Sequence, residues 1–470
     1  MAGRIHDYRR GWSKLIFLCW VVLPVLFLSA GYPGSDRTAI KDSDTLVHVA
    51  LFDIDATPPA GSMLAYDTMT GVWDLGLRAR GIVITGAGKP VVLCAVDWIG
   101  IGNESQDSFK VVLARAASTV PERVSVHTLH QHDAPICDFT AERILNEAGM
   151  PAGSFDGTFA REFLHKLANA VEKSMQNLQP VTHIGTGEAP VRQVASNRRI
   201  PAFNGTMAMR GSSCRDSALR AQPEGVIDSM VTVISLWNEE QPLVVLSFYA
   251  VHPQSYYLTK VANPDFPGLA RFYRQLEVPG ALHVHFNGAG GNVAAGKYND
   301  GAKENRDILA RRLSAGMKQA CISTVRKPLK PAEITWDYRE VVLPAQTDSV
   351  IRIRERMKKG NKYFITNNMG KLAWYERQTE GRKDVVSCLG IGDARILFLP
   401  GELFVEYQLA AKALRGDLKV AMAAYGDYGP FYIGTEKAYS EGGYEISASP
   451  VTSGAEPVLM KAIGQLLGRE

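Results

Sequence analysis

The sequence lacks a strong charge of either sign. Its 470 residues include 52 lysines and arginines against 48 aspartates and glutamates, so the formal net charge is only +4. Domains that bind nucleic acid through its phosphates usually carry a marked excess of basic residues. The composition therefore gives no support for nucleic-acid binding. Low-complexity tracts and fixed-period repeats are missing as well, which excludes a repeat or solenoid protein.

Three short motifs are also missing. No C-x-x-C occurs among the six cysteines, so a zinc site built from thiolates is not expected. No Gly-x-Ser-x-Gly occurs, which argues against the nucleophile elbow of a serine hydrolase. The glycine-rich residues 288–291 lack the Gly-Lys-Ser/Thr ending of a phosphate-binding loop. Cys94 lies in an apolar run and is expected to be a small core residue.

The first 31 residues have the composition of a targeting segment. Basic residues precede an apolar run at residues 15–30, and small residues follow near Ala30. The run is shorter than the about 20 residues of a spanning helix, and Pro24 interrupts it. Residues 1–31 are therefore predicted to be a signal peptide, with an uncleaved membrane anchor as the alternative. Residues 32–45 would be a linker, and the body at 46–470 would be exported in either case.

Strand-like and helix-like segments alternate along this body. The predicted strands include 80–85 and 90–96, joined by a glycine turn, and 226–237 and 243–251, joined by a polar turn. Residues 158–178 have the apolar spacing of an amphipathic helix. No linker rich in proline, glycine or serine divides the body. The pattern predicts an α/β fold, with a mixed β-sheet core and helices packed on it in a single large domain.

Two histidines follow the apolar strand that ends near Val126. On an extended backbone His130 and His132 are two residues apart, so they would share one face. Imidazole is the commonest protein ligand of zinc. A hydrogen-bonded histidine cluster is the alternative, but for two histidines together at the end of a buried strand a functional site is favoured.

Three further side chains stand in comparable places. His252 follows the apolar run 243–251, where ligand sites of open α/β sheets are usually found. Glu402 follows another apolar strand and a Pro-Gly turn that would aim its carboxylate inward. Taken alone, Glu402 is more typical of a solvated first helical turn, and Tyr432 is typical of a packed aromatic residue.

These residues lie in four motifs that resemble motifs of the neutral, non-lysosomal ceramidases. His-Gln-His-Asp-Ala-Pro at 130–135 is similar to the family's His-Thr-His-Ser-Gly-Pro. Residues 248–253 resemble its Phe-Ala-hydrophobic-His segment, and residues 400–402 resemble its Pro-Gly-Glu turn. Residues 432–445 resemble its tyrosine-rich stretch. The order is kept, and the match runs from about residue 46 to the C-terminus, so it implies the family's catalytic domain without its C-terminal β-sandwich.

The resemblance implies a zinc-dependent amidohydrolase that cleaves the N-acyl amide bond of ceramide or a related lipid. One zinc ion would be held by His132, His252, Glu402 and Tyr432. His130 would lie beside the metal and protonate the leaving amine, and Tyr432 would also stabilise the oxyanion. The substrate would be a lipid or another small molecule, with association to a membrane surface also expected; the sequence does not indicate the oligomeric state.

The resemblance also implies residues around this centre. Asn197 and Arg198 resemble a stretch that lines the substrate cleft. Asp97 ends an apolar strand and is expected to orient a metal-binding histidine.

One segment departs from the family. Its members have a serine at the substrate, and alignment on Asn292 places Gly290 at that position and Gly288 at an aspartate. Gly290 and Asn292 are still predicted to bind substrate. A metal-activated water needs no serine nucleophile, so hydrolysis remains the prediction. A different amide or ester substrate, or a binding protein that retains the metal without catalysis, stays open as an alternative.

Overall fold

The structure is a computed structural model that describes residues 46–469, apart from residues 73, 74, 203, 204, 358 and 360. The predicted leader at 1–31 and the predicted linker at 32–45 lie outside the described residues. Those residues belong to one compact unit.

The described residues form 24 strands and 12 α-helices. The strands in chain order are β1 Val47–Asp55, β2 Gly71–Val72, β3 Arg78–Thr85, β4 Val91–Val96, β5 Gly100–Ile101, β6 Val124–Thr128, β7 Ile136–Cys137, β8 Gln179–Val181, β9 His183–Pro190, β10 Ser196–Asn197, β11 Arg199–Pro201, β12 Met207–Met209, β13 Met230–Asn238, β14 Gln241–Tyr249, β15 Val261–Ala262, β16 Leu282–Asn287, β17 Val293–Ala294, β18 Val325–Pro328, β19 Ile334–Val341, β20 Asp384–Ile391, β21 Ala394–Phe398, β22 Glu402–Leu403, β23 Lys419–Ala423 and β24 Tyr432–Ile433. The helices are α1 Glu104–Ala116, α2 Phe139–Glu147, α3 Thr158–Ser174, α4 Ser217–Ala221, α5 Asp265–Glu277, α6 Asn305–Ile322, α7 Thr347–Met357, α8 Lys362–Thr379, α9 Val405–Leu414, α10 Glu436–Glu441, α11 Tyr444–Ala448 and α12 Ala455–Leu466.

Three larger sheets surround a common apolar core. Their strand orders are β6-β4-β3-β1-β8, β16-β14-β13-β9-β18 and β19-β20-β21-β23. The common core includes Leu93 from the first sheet, Leu246 and Phe286 from the second, and Ile396 and Phe398 from the third. Each sheet contains one parallel pair, β4 with β6, β14 with β16, and β21 with β23, while its other neighbouring strands are antiparallel.

Helices cover the outer faces of the sheets. In β4 alternate residues point to opposite faces, so Leu93 joins the common core while Cys94 packs under α1 and α3. With both faces buried, a continuous apolar run at 91–96 is what this strand needs. Helices α5 and α6 pack on the second sheet, and α9 and α12 pack on the third. The prediction of a mixed α/β fold in one large domain is confirmed.

The structure confirms most predicted elements and adds several helices that the sequence did not indicate, of which α8 is the longest. The hairpin of β3 with β4 and the antiparallel pair of β13 with β14 are both present. The predicted helix at 158–178 ends earlier, at Ser174. Helix α8, between β19 and β20, was not predicted, and it lines the cavity described below.

Cys94 is fully buried in β4, as predicted. Among the described residues Cys94, Cys137, Cys214, Cys321 and Cys388 all carry free thiols. The described helices include none whose length and hydropathy would let it cross a bilayer.

Candidate metal and active site

The candidate site lies where the parallel strands of the three sheets end. His130 follows β6, His252 follows β14, and Glu402 follows β21. Because β16 contacts strands of both other sheets, these three carboxyl ends meet at one place. Glu402 then pairs directly with Tyr432 in the short parallel ladder of β22 with β24. Segments that are far apart in the chain therefore present their side chains to a common centre.

Asn287, the last residue of β16, joins the loops that carry the site. Its side-chain amide donates to the carbonyl of Leu129, just before His130, at 3.4 Å. Its side-chain oxygen accepts from the amide of Val251, just before His252, also at 3.4 Å. Its carbonyl accepts from the amide of Ala424 at 3.0 Å. One buried asparagine thus fixes three loops relative to one another.

A glycine lets two of these backbones approach closely. The amide of Gly291 donates to the carbonyl of Leu403 at 2.8 Å. A Cβ at position 291 would lie 2.4 Å from the carbonyl oxygen of Glu402, which is too close for any side chain. The amide of His252 in turn donates to Val293 at 2.7 Å. The glycine-rich segment therefore packs His252 and Glu402 against each other through the backbone.

The two motif histidines do not share a face of an extended strand, contrary to the prediction. Strand β6 ends at Thr128, and His130 has φ = 69°, a left-handed conformation that is uncommon for a residue other than glycine. The turn at His130 brings its ring to 4.9 Å from the ring of His132, measured between centroids. Such strain is often found at functional sites.

Three histidines form a buried cluster with the geometry of a metal site. His130, His132 and His252 each offer a ring nitrogen, and these atoms lie within 4.8 Å of one another. His130 Nδ1 is 2.7 Å from the carbonyl of Ile99, and His132 Nδ1 is 3.0 Å from the carbonyl of His130. Since a carbonyl only accepts, these Nδ1 atoms carry the protons, which leaves each Nε2 as a free donor atom for a metal.

In His252 the ring nitrogen that faces Glu402 is Nδ1, whereas in His130 it is Nε2. The His252 ring hydrogen-bonds to the backbone of Gly290, while its Nδ1 is buried without a hydrogen-bond partner. Burial holds the pKa of both His132 and His252 well below the ordinary histidine value, and the neighbouring His130 and Arg198 lower it further. A neutral imidazole is the form that binds a metal ion.

Glu402 is the carboxylate of the cluster and is only 1% exposed. Its Oε2 lies 3.3 Å from His130 Nε2 and 3.8 Å from His252 Nδ1, and it has no hydrogen-bond partner. Its Oε1 accepts a hydrogen bond from the Tyr428 hydroxyl at 3.0 Å. Metal–ligand bonds of about 2.0–2.2 Å in a tetrahedron place neighbouring ligand atoms roughly 3.3–3.6 Å apart. The buried atoms without partners therefore fit a divalent cation bound between them.

Arg198 and Tyr432 form the opposite side of the site. Arg198 is 3% exposed, and its Nη1 donates to the Tyr432 hydroxyl at 3.2 Å. The charge of Arg198 is balanced by Glu445, whose Oε1 lies 3.4 Å from its Nε. Burial raises the pKa of Tyr432 well above its ordinary value, although the positive charge of Arg198 acts in the opposite direction. Tyr432 is therefore a phenol whose proton is available as a donor.

A cavity of about 300 Å³ opens onto these side chains. It is lined by His130, His132, His252, Glu402, Tyr432, Arg198 and Tyr428, by Tyr66, Tyr257, Phe431 and Tyr444, and by Gln254, Asn367, Asn368, Lys371, Ser447 and Ala448. The structure thus brings all five predicted metal and acid-base residues, and one predicted substrate residue, Arg198, into one cavity.

Three other predicted substrate residues do not line this cavity. Asn197 donates to the carbonyl of Val226 and braces its own turn. Asn292 bonds to Glu406 and to the first amide of α9. Gly290 lies behind His252, and a Cβ there would be 3.1 Å from the Tyr425 hydroxyl. Gly290 and Asn292 therefore pack behind the metal-site residues, and Asn197 stabilises a neighbouring turn.

Asp97 also has a different contact from the one predicted. Its carboxylate pairs with Arg271 at 2.8 and 2.6 Å, and it accepts from Gln131 at 3.4 Å. Gln131 lies between the two motif histidines, so Asp97 contacts their loop without bonding to an imidazole.

Sequence reasoning missed Asn287, Tyr428 and Lys371. A strand-terminal position was the signal for Asn287, because it shares that position with the predicted ligands. Tyr428 and Lys371 gave no comparable signal, since one lies in a tyrosine-rich loop and the other in the unpredicted α8.

Comparisons with known proteins extend these findings. No protein-family model matches the chain, and no curated protein matches it significantly. Among solved structures, the neutral ceramidase from Pseudomonas aeruginosa superposes with a TM-score of 0.64 at 16% identity, covering 91% of this chain and 75% of that one. A ceramidase complexed with C2 superposes with a TM-score of 0.65, also at 16% identity, covering 91% of this chain and 76% of that one. The chain therefore has the fold of neutral ceramidase.

Proposed function

We propose that this protein is a metal-dependent hydrolase that cleaves the amide bond of an N-acyl lipid, with one zinc ion as its cofactor. The observation that carries the proposal is the cluster of three buried histidines and Glu402, which opens into a cavity on a fold shared with neutral ceramidase. Histidine nitrogen and carboxylate oxygen are ligands that zinc prefers. The export predicted from residues 1–31 remains part of the proposal.

We assign the metal ligands from distances. Glu402 lies beside His130 and His252, so these three side chains are the proposed ligands, with the Tyr432 phenol as a weak fourth. This exchanges the roles that the motif resemblance implied for His130 and His132. His132 is the more exposed of the two, at 6% against 2%, and stacks on Tyr66. It is therefore placed to exchange protons with substrate.

The chain's own groups account for binding and proton transfer. A zinc ion at this site would supply a nucleophile by lowering the pKa of water and would polarise the amide carbonyl. His132, held by its Nδ1, presents an unprotonated Nε2, which would take the proton released by the attacking water and pass it to the leaving amine. Tyr432 donates a hydrogen bond from its hydroxyl to the carbonyl oxygen as negative charge develops there, and Arg198 supports that charge. No serine nucleophile is needed, and a side chain at position 290 would be tightly packed, since its Cβ would lie 3.0 Å from the backbone of Val251.

The experiment compares three single variants in metal content and turnover. His130→Ala should lose zinc and activity together, while His132→Ala should keep zinc and lose about 10²–10⁴-fold in kcat. His165→Ala, at an exposed position on α3, is the matched control and should change neither. Turnover of a fluorescent N-acyl amide should stop with a chelator and return with added zinc.

Two results would go against the proposal. Full zinc content and full turnover in His130→Ala would contradict the ligand assignment. Bound zinc with no turnover of any amide or ester in the wild-type protein would favour a non-catalytic binding protein.

A further inference from the structure

The cavity has one charged side chain that the proposed reaction does not use. Lys371 lies on α8 and is 7% exposed, and its side chain lines the cavity together with Asn367 and Asn368 of the same helix. Its Nζ lies 3.4 Å from Asn368 Oδ1 and 5.2 Å from the centre of the Phe431 ring. A buried ammonium normally has a carboxylate partner. Lys371 forms no salt bridge with any described residue.

The charges around the cavity are unbalanced near Lys371. Arg198 and Lys371 are the two cations that line it, and Glu402 is the one acidic residue among its described lining. Arg198 is neutralised by Glu445, outside the cavity lining. Glu402 faces the histidines. If the proposed zinc ion is bound, the cavity gains two further positive charges. The positive charges of the lining therefore outnumber its one carboxylate, and Lys371 is the cation that has no carboxylate within salt-bridge distance among the described residues.

The protonation state of Lys371 is consistent with this role. Burial lowers its pKa to about 8, while the negative charge of Glu402 acts in the opposite direction. In the metal-free protein this pKa leaves the ammonium charged in most molecules at pH 7. A ligand with a negative charge would stabilise this form further, because opposite charges attract strongly where water is excluded.

The size and lining of the cavity indicate which part of a substrate it takes. Its volume of about 300 Å³ is at the lower end of small-molecule sites, which are mostly lined by apolar side chains. Here the lining consists mainly of histidine, tyrosine, asparagine, arginine and lysine. A polar head group suits such a lining better than a long acyl chain.

We propose that the substrate is an N-acyl compound whose amine portion carries an acidic group, such as an N-acyl amino acid, and that Lys371 binds this group. This rests on the proposed amide hydrolysis and narrows its substrate class. Asn367 and Asn368 line the same wall of the cavity, beside Lys371. Lys371 is then a specificity-determining residue, while the bond-breaking groups are those described above.

The test uses substrates that differ in head-group charge. N-dodecanoylglycine and N-dodecanoyltaurine carry an acidic group, and N-dodecanoylethanolamine is their uncharged analogue. The zinc-loaded wild-type protein should hydrolyse at least one acidic substrate with a kcat/KM roughly 10- to 100-fold above that of the ethanolamide, the range expected for a charge-assisted hydrogen bond. Lys371→Met should remove this preference, so that kcat/KM for the acidic substrates falls to about that of the ethanolamide.

Two control variants keep the result specific. Lys371→Arg retains the charge and should keep most of the preference. Lys327→Met removes an exposed lysine, with 58% of its side chain accessible, and should change nothing. Lys371→Met leaves no unpaired charge behind, so it is expected to fold, and its thermal unfolding checks this.

A binding measurement separates this inference from the proposed function. Calorimetry of N-dodecanoylglycine with the metal-free protein should show a dissociation constant about 10-fold or more weaker in Lys371→Met than in wild type. If none of the three N-acyl substrates is hydrolysed, the proposed hydrolysis is wrong. The binding measurement still shows whether Lys371 binds the acidic group. Equal losses for all three substrates, a wild-type preference for the ethanolamide, or unchanged binding in Lys371→Met would overturn the inference.

Discussion

Removing the charge of Asp97 should destabilise the whole fold. Asp97 is fully buried, and its carboxylate makes two parallel hydrogen bonds to Arg271, itself 3% exposed. It also accepts from the backbone amide of Arg78 at 2.9 Å. Asp97→Asn keeps the shape and one acceptor oxygen but leaves the guanidinium buried without a counter-charge. A broken buried pair of this kind costs about 3–5 kcal/mol of unfolding free energy.

A double variant tests the reason for that loss. Asp97→Asn combined with Arg271→Met removes both charges, and replacing a whole buried pair is often close to neutral. The double variant should therefore recover most of the stability that the single variant loses. The matched control is Asp337→Asn, which breaks an exposed pair with Arg339 of similar length, 2.7 Å, and should cost no more than about 1 kcal/mol.

Urea unfolding followed by tryptophan fluorescence measures five proteins: the wild type, Asp97→Asn, Arg271→Met, the double variant and Asp337→Asn. The slope of each transition is checked for a change in the surface exposed. The reasoning is refuted if Asp97→Asn costs as little as Asp337→Asn. It is also refuted if the double variant is destabilised by the sum of its single substitutions, because partners in one ion pair must be non-additive.

Two further predictions concern Tyr428 and Asp384. Tyr428→Phe removes the hydrogen bond that orients Glu402, so competition with a zinc-binding dye should show about 10- to 100-fold weaker zinc binding, and unchanged affinity would argue against this role. Burial raises the pKa of Asp384 to about 7 in the folded protein, against about 4 when unfolded. Between about pH 4 and about pH 7 the folded state therefore keeps Asp384 protonated, while the unfolded state has lost that proton. The free energy of unfolding consequently falls as the pH rises through this range, by up to about 1.4 kcal/mol per pH unit. Asp384→Asn should show a shallower decline between pH 4.5 and 7.5 in urea titrations, and parallel curves would count against this origin.

Sequence reasoning located the histidines and Glu402 because they follow apolar strands, but the resemblance implied His132, and not His130, as a metal ligand. The strands before His130, His252 and Glu402 are buried on both faces, although each contains at least one polar residue. Polar residues at the ends of such strands stand out in the pattern. The fold class follows from the same alternation of apolar runs and helical spacing.

What the sequence could not provide depends on contacts between distant segments. The turn at His130, with its positive φ, is held by bonds to Trp98 and Ile99. An argument from strand periodicity therefore placed the two histidines on one face. Similarly, Gly290 and Asn292 were predicted to bind substrate, but they are enclosed by the backbones of neighbouring loops.

Helix α8 shows why part of the cavity was missed. Its buried residues Met369, Leu372 and Ala373 pack into the core, while Asn368 and Lys371 face the cavity. A helix that has polar residues buried in a cavity does not show a clear division into an apolar and a polar face.

The most direct test of a metal centre here is zinc X-ray absorption spectroscopy on the wild-type protein and on Glu402→Gln. The wild-type spectrum should show one bound ion with nitrogen and oxygen ligands at about 2.0–2.2 Å, including imidazole. The variant should have lost the ion or the carboxylate contribution to its spectrum. A wild-type protein that binds no divalent ion at this site, or an identical ligand shell without the Glu402 carboxylate, would contradict the convergence of His130, His252 and Glu402 on one cation.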